Sequence, residues 1–272
     1  MSWRLGIASG VCTECSILEI VPAIRDAGAA GIEVGTPPRH FDPAQEDQVA
    51  SLGLALQHAG LEAVSIHAPF GGPLDLAEPA ATRREAAIDA VMTAVRAIRR
   101  FGGRRVVVHP SDLARNGHDA ASRLHDSVRS LQQLAGRCRA EGATLVIESP
   151  LPHLIGGHPD EFAWLLNQMD ADVGVCLDTG HTALGRHWHR FIEVAGRRLM
   201  HVHANDNWGH TDDHLAPGDG QLNWPDIART LRDADFSGWL MLEIKCADGD
   251  RAAQLRRALE RTVELLQPPS TA

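Results

Sequence analysis

Short apolar runs rich in β-branched residues recur along the chain. They alternate with longer stretches in which apolar positions return every three or four residues. The short runs are Arg4–Ala8, Gly31–Val34, Ala63–His67, Arg105–His109, Thr144–Glu148, Val173–Asp178, Leu199–His203 and Trp239–Glu243, and each reads as a strand. The stretches between them carry helix start signals. Ser16-Ile-Leu-Glu19 has the spacing of a capping box. Asp42-Pro43 predicts an N-cap followed by proline in the first turn, and Glu78-Pro79 predicts a further helix whose apolar stripe runs through Ala87, Val91, Val95 and Ile98. Gly28, Gly60, Gly102, Gly142 and Gly196 fall where helices should end. Strands that stay apolar along their length, with helices between them, pair in parallel and are buried on both faces. Eight such units predict an α/β protein, a (β/α)8 TIM barrel, rather than an open doubly wound sheet. No GxGxxG follows the first run, which counts against a dinucleotide fold. The pattern predicts one domain over residues 1–266 and a frayed tail at 267–272.

Composition narrows the class. The chain has 272 residues, 44% of them apolar and 22% charged, as in an ordinary soluble globule. It has no apolar run long enough for a membrane helix, and Met1-Ser2-Trp3-Arg4-Leu5 lacks the basic start and apolar middle of a signal peptide. The expected location is the cytoplasm, with no membrane partner. A net charge of −9 gives no push toward nucleic acid. Five cysteines in such a chain are expected as reduced thiols, and Cys12-Thr-Glu-Cys15, with no second pair to complete a zinc site, reads as two loop thiols. The unusual number is 15 histidines, the commonest metal ligand and the proton carrier near neutral pH.

Their placement matters more than their number. Strands that are greasy until their last residues end in Ser65-Ile66-His67, Val108-His109, Ile147-Glu148, Leu177-Asp178-Thr179-Gly180-His181, His201-Val202-His203 and Leu242-Glu243-Ile244-Lys245. In a barrel the C-terminal strand ends meet at one rim, where such folds keep their active sites. Six strands therefore deliver imidazole or carboxylate to one mouth. Gathered carboxylates repel one another, and a divalent cation removes that cost. Glu148, Asp178, His203 and Glu243 make a ring of three carboxylates and one imidazole, suited to Mn²⁺, Mg²⁺ or Co²⁺ and tolerant of Zn²⁺. His201, two residues before His203, lies on the same strand face but deeper. Asp212 and His214 in the loop after the seventh strand are further candidates for ligands or substrate contacts; Asp213 and Asp219 read as solvated turn residues.

Taken together, His67-Ala-Pro, Val-His109-Pro, Ile-Glu148, Asp178-Thr-Gly-His181, His201-Val-His203-Ala-Asn-Asp206, Asp212-Asp-His214-Leu-Ala-Pro-Gly-Asp-Gly220 and Leu-Glu243-Ile resemble the xylose isomerase-like barrels. That group holds sugar and sugar-phosphate isomerases and epimerases, and also endonuclease IV-type apurinic endonucleases. The epimerase branch implies one divalent metal on Glu148, Asp178, His203 and Glu243, with Glu148 and Glu243 also as the catalytic acid/base pair. The metal would chelate a carbonyl and adjacent hydroxyl and stabilise the enediolate formed on deprotonation. His181 would bond substrate oxygens or a metal water. The endonuclease branch implies three zinc ions on His67, His109, Glu148, Asp178, His181, His203, Asp212, His214 and Glu243. A lyase acting on an oxidised sugar would use the same proton abstraction and expel a leaving group.

The reading as a sugar or sugar-phosphate isomerase or epimerase is preferred, with a carbohydrate as partner and a homo-oligomer as a common default. No inserted basic and aromatic loop offers a grip on duplex DNA, and Gly31-Ile-Glu33-Val-Gly35 looks more like the sugar branch. Glu33 could contact substrate, stand behind a ligand histidine, or pair with an arginine inside the barrel. Lys245, the only lysine, shares the inward face of Glu243 and could hold a substrate phosphate or carboxylate, or pair with an acid. The loops around Thr36-Pro-Pro-Arg39-His40 and Phe70-Gly-Gly-Pro73 are expected to shape the pocket, and Trp188 and Trp208 to stack on a sugar, with Trp224 instead packed under a helix start.

Overall fold

The computed structural model describes residues 3–11, 14–115, 119–247 and 249–267. Eight strands, β1 (Arg4–Ala8), β2 (Gly31–Val34), β3 (Glu62–His67), β4 (Arg105–Val108), β5 (Thr144–Glu148), β6 (Gly174–Asp178), β7 (Leu199–Ala204) and β8 (Trp239–Leu242), close in sequence order into one parallel barrel. The barrel shuts through β1–β8 pairing, with Arg4 opposite Trp239 and Ile7 opposite Leu242. Around it run α1 (Ile17–Asp26), α2 (Glu46–Ala59), α3 (Ala81–Arg100), α4 (Ala120–Ala140), α5 (Pro159–Asn167), α6 (Thr179–Leu184), α7 (Trp188–Ala195), α8 (Trp224–Asp233) and α9 (Arg251–Leu265).

Two cores result. Outward strand residues such as Ile7, Ile32, Ile66, Val106, Ile147, Val202 and Leu240 pack on Ile24, Leu52, Ile98, Leu134, Leu165 and Leu231 of the helices. Each such fully buried aliphatic side chain is worth roughly 1.5–3 kcal/mol. Inside the barrel, two small clusters, Val64 with Trp239 and Met241, and Val107 with Val146 and Cys176, plug the lower half. Because inward positions recur every second residue, the positions above this plug become polar. Cys176 gives way to Asp178, Val146 to Glu148, Met241 to Glu243, and His201 to His203.

The capping box at Ser16 and Glu19 forms as predicted. Two expected starts are displaced. α2 begins at Glu46, because Asp42 spends its carboxylate on the Ala44 N–H (2.9 Å) and so caps a separate turn. α3 begins at Ala81 rather than directly after Glu78-Pro79. Glu78 donates its own N–H to the Asp75 carbonyl (3.3 Å), which closes a turn before the helix. The loops after β1 and β2 meet backbone to backbone: a Cβ on Gly35 would stand 2.2 Å from the Gly10 Cα. No helix among the described residues is long and apolar enough to cross a membrane. Cys12 and residues 268–272 of the expected tail lie outside the described residues.

Candidate metal centre

All nine ionisable residues expected at the rim are there, and they form three groups of donors. In the central group, His203 Nδ1 lies 3.2 Å from Glu148 Oε1, 3.2 Å from Glu243 Oε2 and 3.9 Å from Asp178 Oδ2. One ligand atom from each of these four residues fits within 4.8 Å of the others. A second group shares Glu148, whose Oε2 sits 3.0 Å from His67 Nε2 and 3.2 Å from His109 Nε2. The third brings His181 Nε2 (3.3 Å) and His214 Nε2 (3.0 Å) to Asp212 Oδ2.

The far side of each imidazole decides what the near side can do. His181 Nδ1 lies 3.0 Å from the Ser149 carbonyl, His214 Nδ1 2.9 Å from the Glu243 carbonyl and His67 Nδ1 3.2 Å from the Ala68 carbonyl. A carbonyl only accepts, so these ring nitrogens carry the hydrogen. His109 Nδ1 likewise faces Asp112 Oδ1 at 2.8 Å. In a neutral ring the remaining nitrogen is a lone pair, and here it faces a carboxylate oxygen. Two electron-rich atoms at 3.0–3.3 Å need a positive charge between them. Either every ring takes a second proton or a cation sits among them, and pinning the outer nitrogen by an acceptor is how proteins orient metal-binding histidines. The donor set therefore fits a divalent metal.

In the absence of a cation, protons do the balancing. Burial pushes His109, His181, His203 and His214 down, but their neighbours outweigh it. Glu148 and Asp112 hold His109 at about 10 and Asp212 and Glu243 hold His214 at about 9; Asp178 with Asp212 raises His181 well above its usual value, and Cys176 with Glu33, Glu243 and Glu148 does the same to His203. Burial alone would raise Glu148 and Glu243, yet His203 beside them holds Glu148 well below the carboxylate range and Glu243 at about 2. Asp178 goes the other way. Burial and the neighbouring Glu243 and Glu148 push it to about 6, although His181 pulls it down.

Beneath the ring, Glu33 faces two histidines. Its Oε2 accepts from Ser65 Oγ (2.6 Å) and lies 2.9 Å from His201 Nε2; its Oε1 is 2.9 Å from His203 Nε2. This last pair is at ion-pair distance but out of line for a formed hydrogen bond. Glu33 thus stands behind a ring histidine; the arginine pairing is not what the barrel interior holds. Above the ring is a cavity of about 590 Å³. Lys245 lines it at the exposed rim.

Residues 21–265 match the family model described as "Xylose isomerase-like TIM barrel". The chain belongs to that family.

Solved structures share the xylose isomerase-like fold over nearly the whole chain. A D-tagatose 3-epimerase-like protein superposes with a TM-score of 0.84 at 21% identity, covering 97% of this chain and 98% of that one. A D-psicose 3-epimerase from Clostridium cellulolyticum H10, solved with D-tagatose, gives 0.78 at 17% identity over 97% and 99%. The 3-keto-D-glucoside 4-epimerase of E. coli gives 0.77 at 17% over 96% and 99%. An uncharacterized protein of Methanocaldococcus jannaschii is 24% identical over 190 residues, 67% of this chain and 64% of that protein. The match thus covers less than two thirds of that relative's own length.

Some residues of this xylose isomerase-like site were not singled out from sequence. Asp112 pins His109, and the Ser149 carbonyl pins His181. Asp206 is fully buried and accepts from the backbone of Asn207 (2.8 Å), Gly218 (2.9 Å) and Leu222 (3.1 Å) and from the Trp224 indole (2.8 Å). It holds in shape the loop that carries Asp212 and His214. Trp224 packs at the start of α8 as expected, but neither Trp188 nor Trp208 lines the cavity; Phe70 does. His40 turns inward to the Cys15 carbonyl (2.8 Å) and Ser9 Oγ (3.0 Å), away from the pocket.

Proposed function

We propose that the chain is a divalent-metal-dependent sugar isomerase or epimerase in which Glu148 and Glu243 move the proton. The observation that carries the reading is the central ring, where two glutamates from β5 and β8 converge on one imidazole nitrogen with Asp178 beside them. Glu148, Asp178, His203 and Glu243 would hold the ion. A cation bound there polarises a sugar carbonyl and its neighbouring hydroxyl and so acidifies the adjacent C–H. One carboxylate takes that hydrogen as a proton while the C–H electrons pass into the carbonyl. The other, entering the step protonated, gives its proton to the same carbon from the opposite face, inverting the centre; delivery instead to the former carbonyl carbon, with the neighbouring hydroxyl giving up its own proton, moves the carbonyl. Glu243 is the more accessible of the pair, its side chain 15% exposed against 1% for Glu148. His181 and Lys245 are suited to hold sugar oxygens at the sides. The likeness in fold to two sugar epimerases and a D-tagatose 3-epimerase-like protein supports the reading. Incubating the metal-supplemented protein with ketohexoses in D2O should place deuterium beside the carbonyl. No exchange with any sugar at any of Mn²⁺, Mg²⁺, Co²⁺ or Zn²⁺ refutes it.

A second reading, a three-metal phosphodiesterase acting on abasic DNA, is favoured by one observation. The two outer groups, His67–His109–Glu148 and His181–Asp212–His214, are as tightly gathered as the central one. Three zinc ions per chain together with cleavage of an abasic duplex would establish it. A lyase acting on an oxidised sugar would show the same exchange accompanied by release of a fragment.

A further inference from the structure

The cavity above the ring is divided by chemistry. Its floor is the cluster of carboxylates and imidazoles. Its wall is formed by Pro37, Pro38, Phe70, Leu74, Leu151 and Leu154. The one hydroxyl on that side, Thr36 Oγ1, gives its only hydrogen to the His67 carbonyl at 2.9 Å and can do no more than accept a single sugar hydroxyl. A bare monosaccharide carries hydroxyls all round. Those facing the floor would find partners, and those facing the wall would lose water and gain at most that one hydrogen bond in return. The volume of about 590 Å³ is that of a site for a drug-sized ligand rather than a single small ring. Within that wall Phe70 stands out. It is 53% exposed at the lip, with its ring 4.3 Å from that of His109 and 5.0 Å from that of His67. An aromatic face standing beside the centre is available for a ligand ring to stack on.

We propose that the wall is an aglycone subsite, and that the substrate is an uncharged sugar conjugate bearing an apolar, ring-containing substituent on its anomeric carbon and its carbonyl elsewhere on the sugar. This rests on the sugar-enzyme reading of the floor. The sugar end meets the carboxylates. The substituent lies along the two prolines and against Phe70, whose face suits offset stacking. The acidic floor disfavours an anionic substituent, and Lys245 is the single lysine or arginine among the described residues that line the cavity.

The test is equilibrium binding to the metal-supplemented full chain of 4-nitrophenyl and methyl D-glucopyranosides, in both anomers, with D-glucose 6-phosphate as a third probe. The aryl glycoside of at least one anomer should bind about tenfold or more tightly than its methyl counterpart. Phe70→Ala, a substitution at an exposed site, should cost the aryl ligand more than the methyl one. Leu154→Asp should do the same with the fold checked by circular dichroism. Equal affinity of aryl and methyl forms, or tightest binding of the phosphate, overturns the proposal. Deuterium exchange is scored separately. Its absence for every sugar fails the epimerase reading, while the aryl-to-methyl ratio still decides the subsite.

Discussion

Glu33 and His203 face one another across 2.9 Å at the bottom of the ring, both buried. The carboxylate thereby directs the opposite nitrogen of His203 at Glu148, Asp178 and Glu243. Its other oxygen serves His201 and Ser65 in the same way. A carboxylate behind a ligand histidine fixes ring orientation and raises its basicity.

Glu33→Gln should therefore weaken binding of Mn²⁺ or Zn²⁺ by about 10- to 100-fold with the fold intact. Competition against a chelator measures the affinity. Unchanged affinity would reduce Glu33 to a packing residue.

Glu148→Gln and Glu243→Gln should each lower kcat by about 10²-fold or more, because each removes one proton-transfer group. Solvent deuterium exchange separates the two roles. A variant that still exchanges but does not epimerise has lost the carboxylate that returns the proton. Full activity in either variant would remove it from the mechanism.

Chelation should destabilise the protein. Binding only to the folded state stabilises by mass action, about 2.7 kcal/mol at a hundredfold excess over Kd, and a chain of this size shifts by roughly 2–4 °C per kcal/mol. Calorimetry with and without EDTA, alongside elemental analysis, checks this. A metal-free protein whose Tm and inactivity are both indifferent to added ions would refute a metal centre.

Asp206→Ala should strand three backbone donors and the Trp224 indole, costing about 2–4 kcal/mol. Asp206→Asn should recover part of that. Denaturant titration measures both. A loss below about 0.5 kcal/mol would show that water replaces the carboxylate without penalty.

Cys138 on α4 is fully buried, and burial, with Glu141 adding, pushes its thiol to about 12. The unfolded thiol ionises near pH ~8.5. Between these values the unfolded chain binds fewer protons than the folded one. Stability should therefore fall as pH rises through that window, and Cys138→Ala should flatten the slope. At pH 8, mass-mapped iodoacetamide labelling of Cys138 should require unfolding.

Strands were legible because they are buried on both faces, and their ends were off by a residue or so. His109 and Glu243 stand just past β4 and β8. The donors of the ring were legible because each interrupts an apolar run at its last inward position. Asp112 and Ser149 were not, since a loop residue that serves another side chain leaves no periodic mark; Asp206 entered only as the end of a family-like string, with no role attached. Helix starts misled where Asp42 and Glu78 closed turns of their own. The cavity wall was half visible: the loops at Thr36 and Phe70 were expected, whereas Leu151 and Leu154 join them only through the path of the chain after β5.

Gly10 and Gly35 touch with no side chain between them, so one rim of the mouth is bare main chain. Variation that tunes what enters has no foothold there, because even a methyl group would prise two loops apart. Diversification for new ligands would have to proceed elsewhere on the lining, through Phe70, Leu151 and Leu154, whose side chains face the cavity.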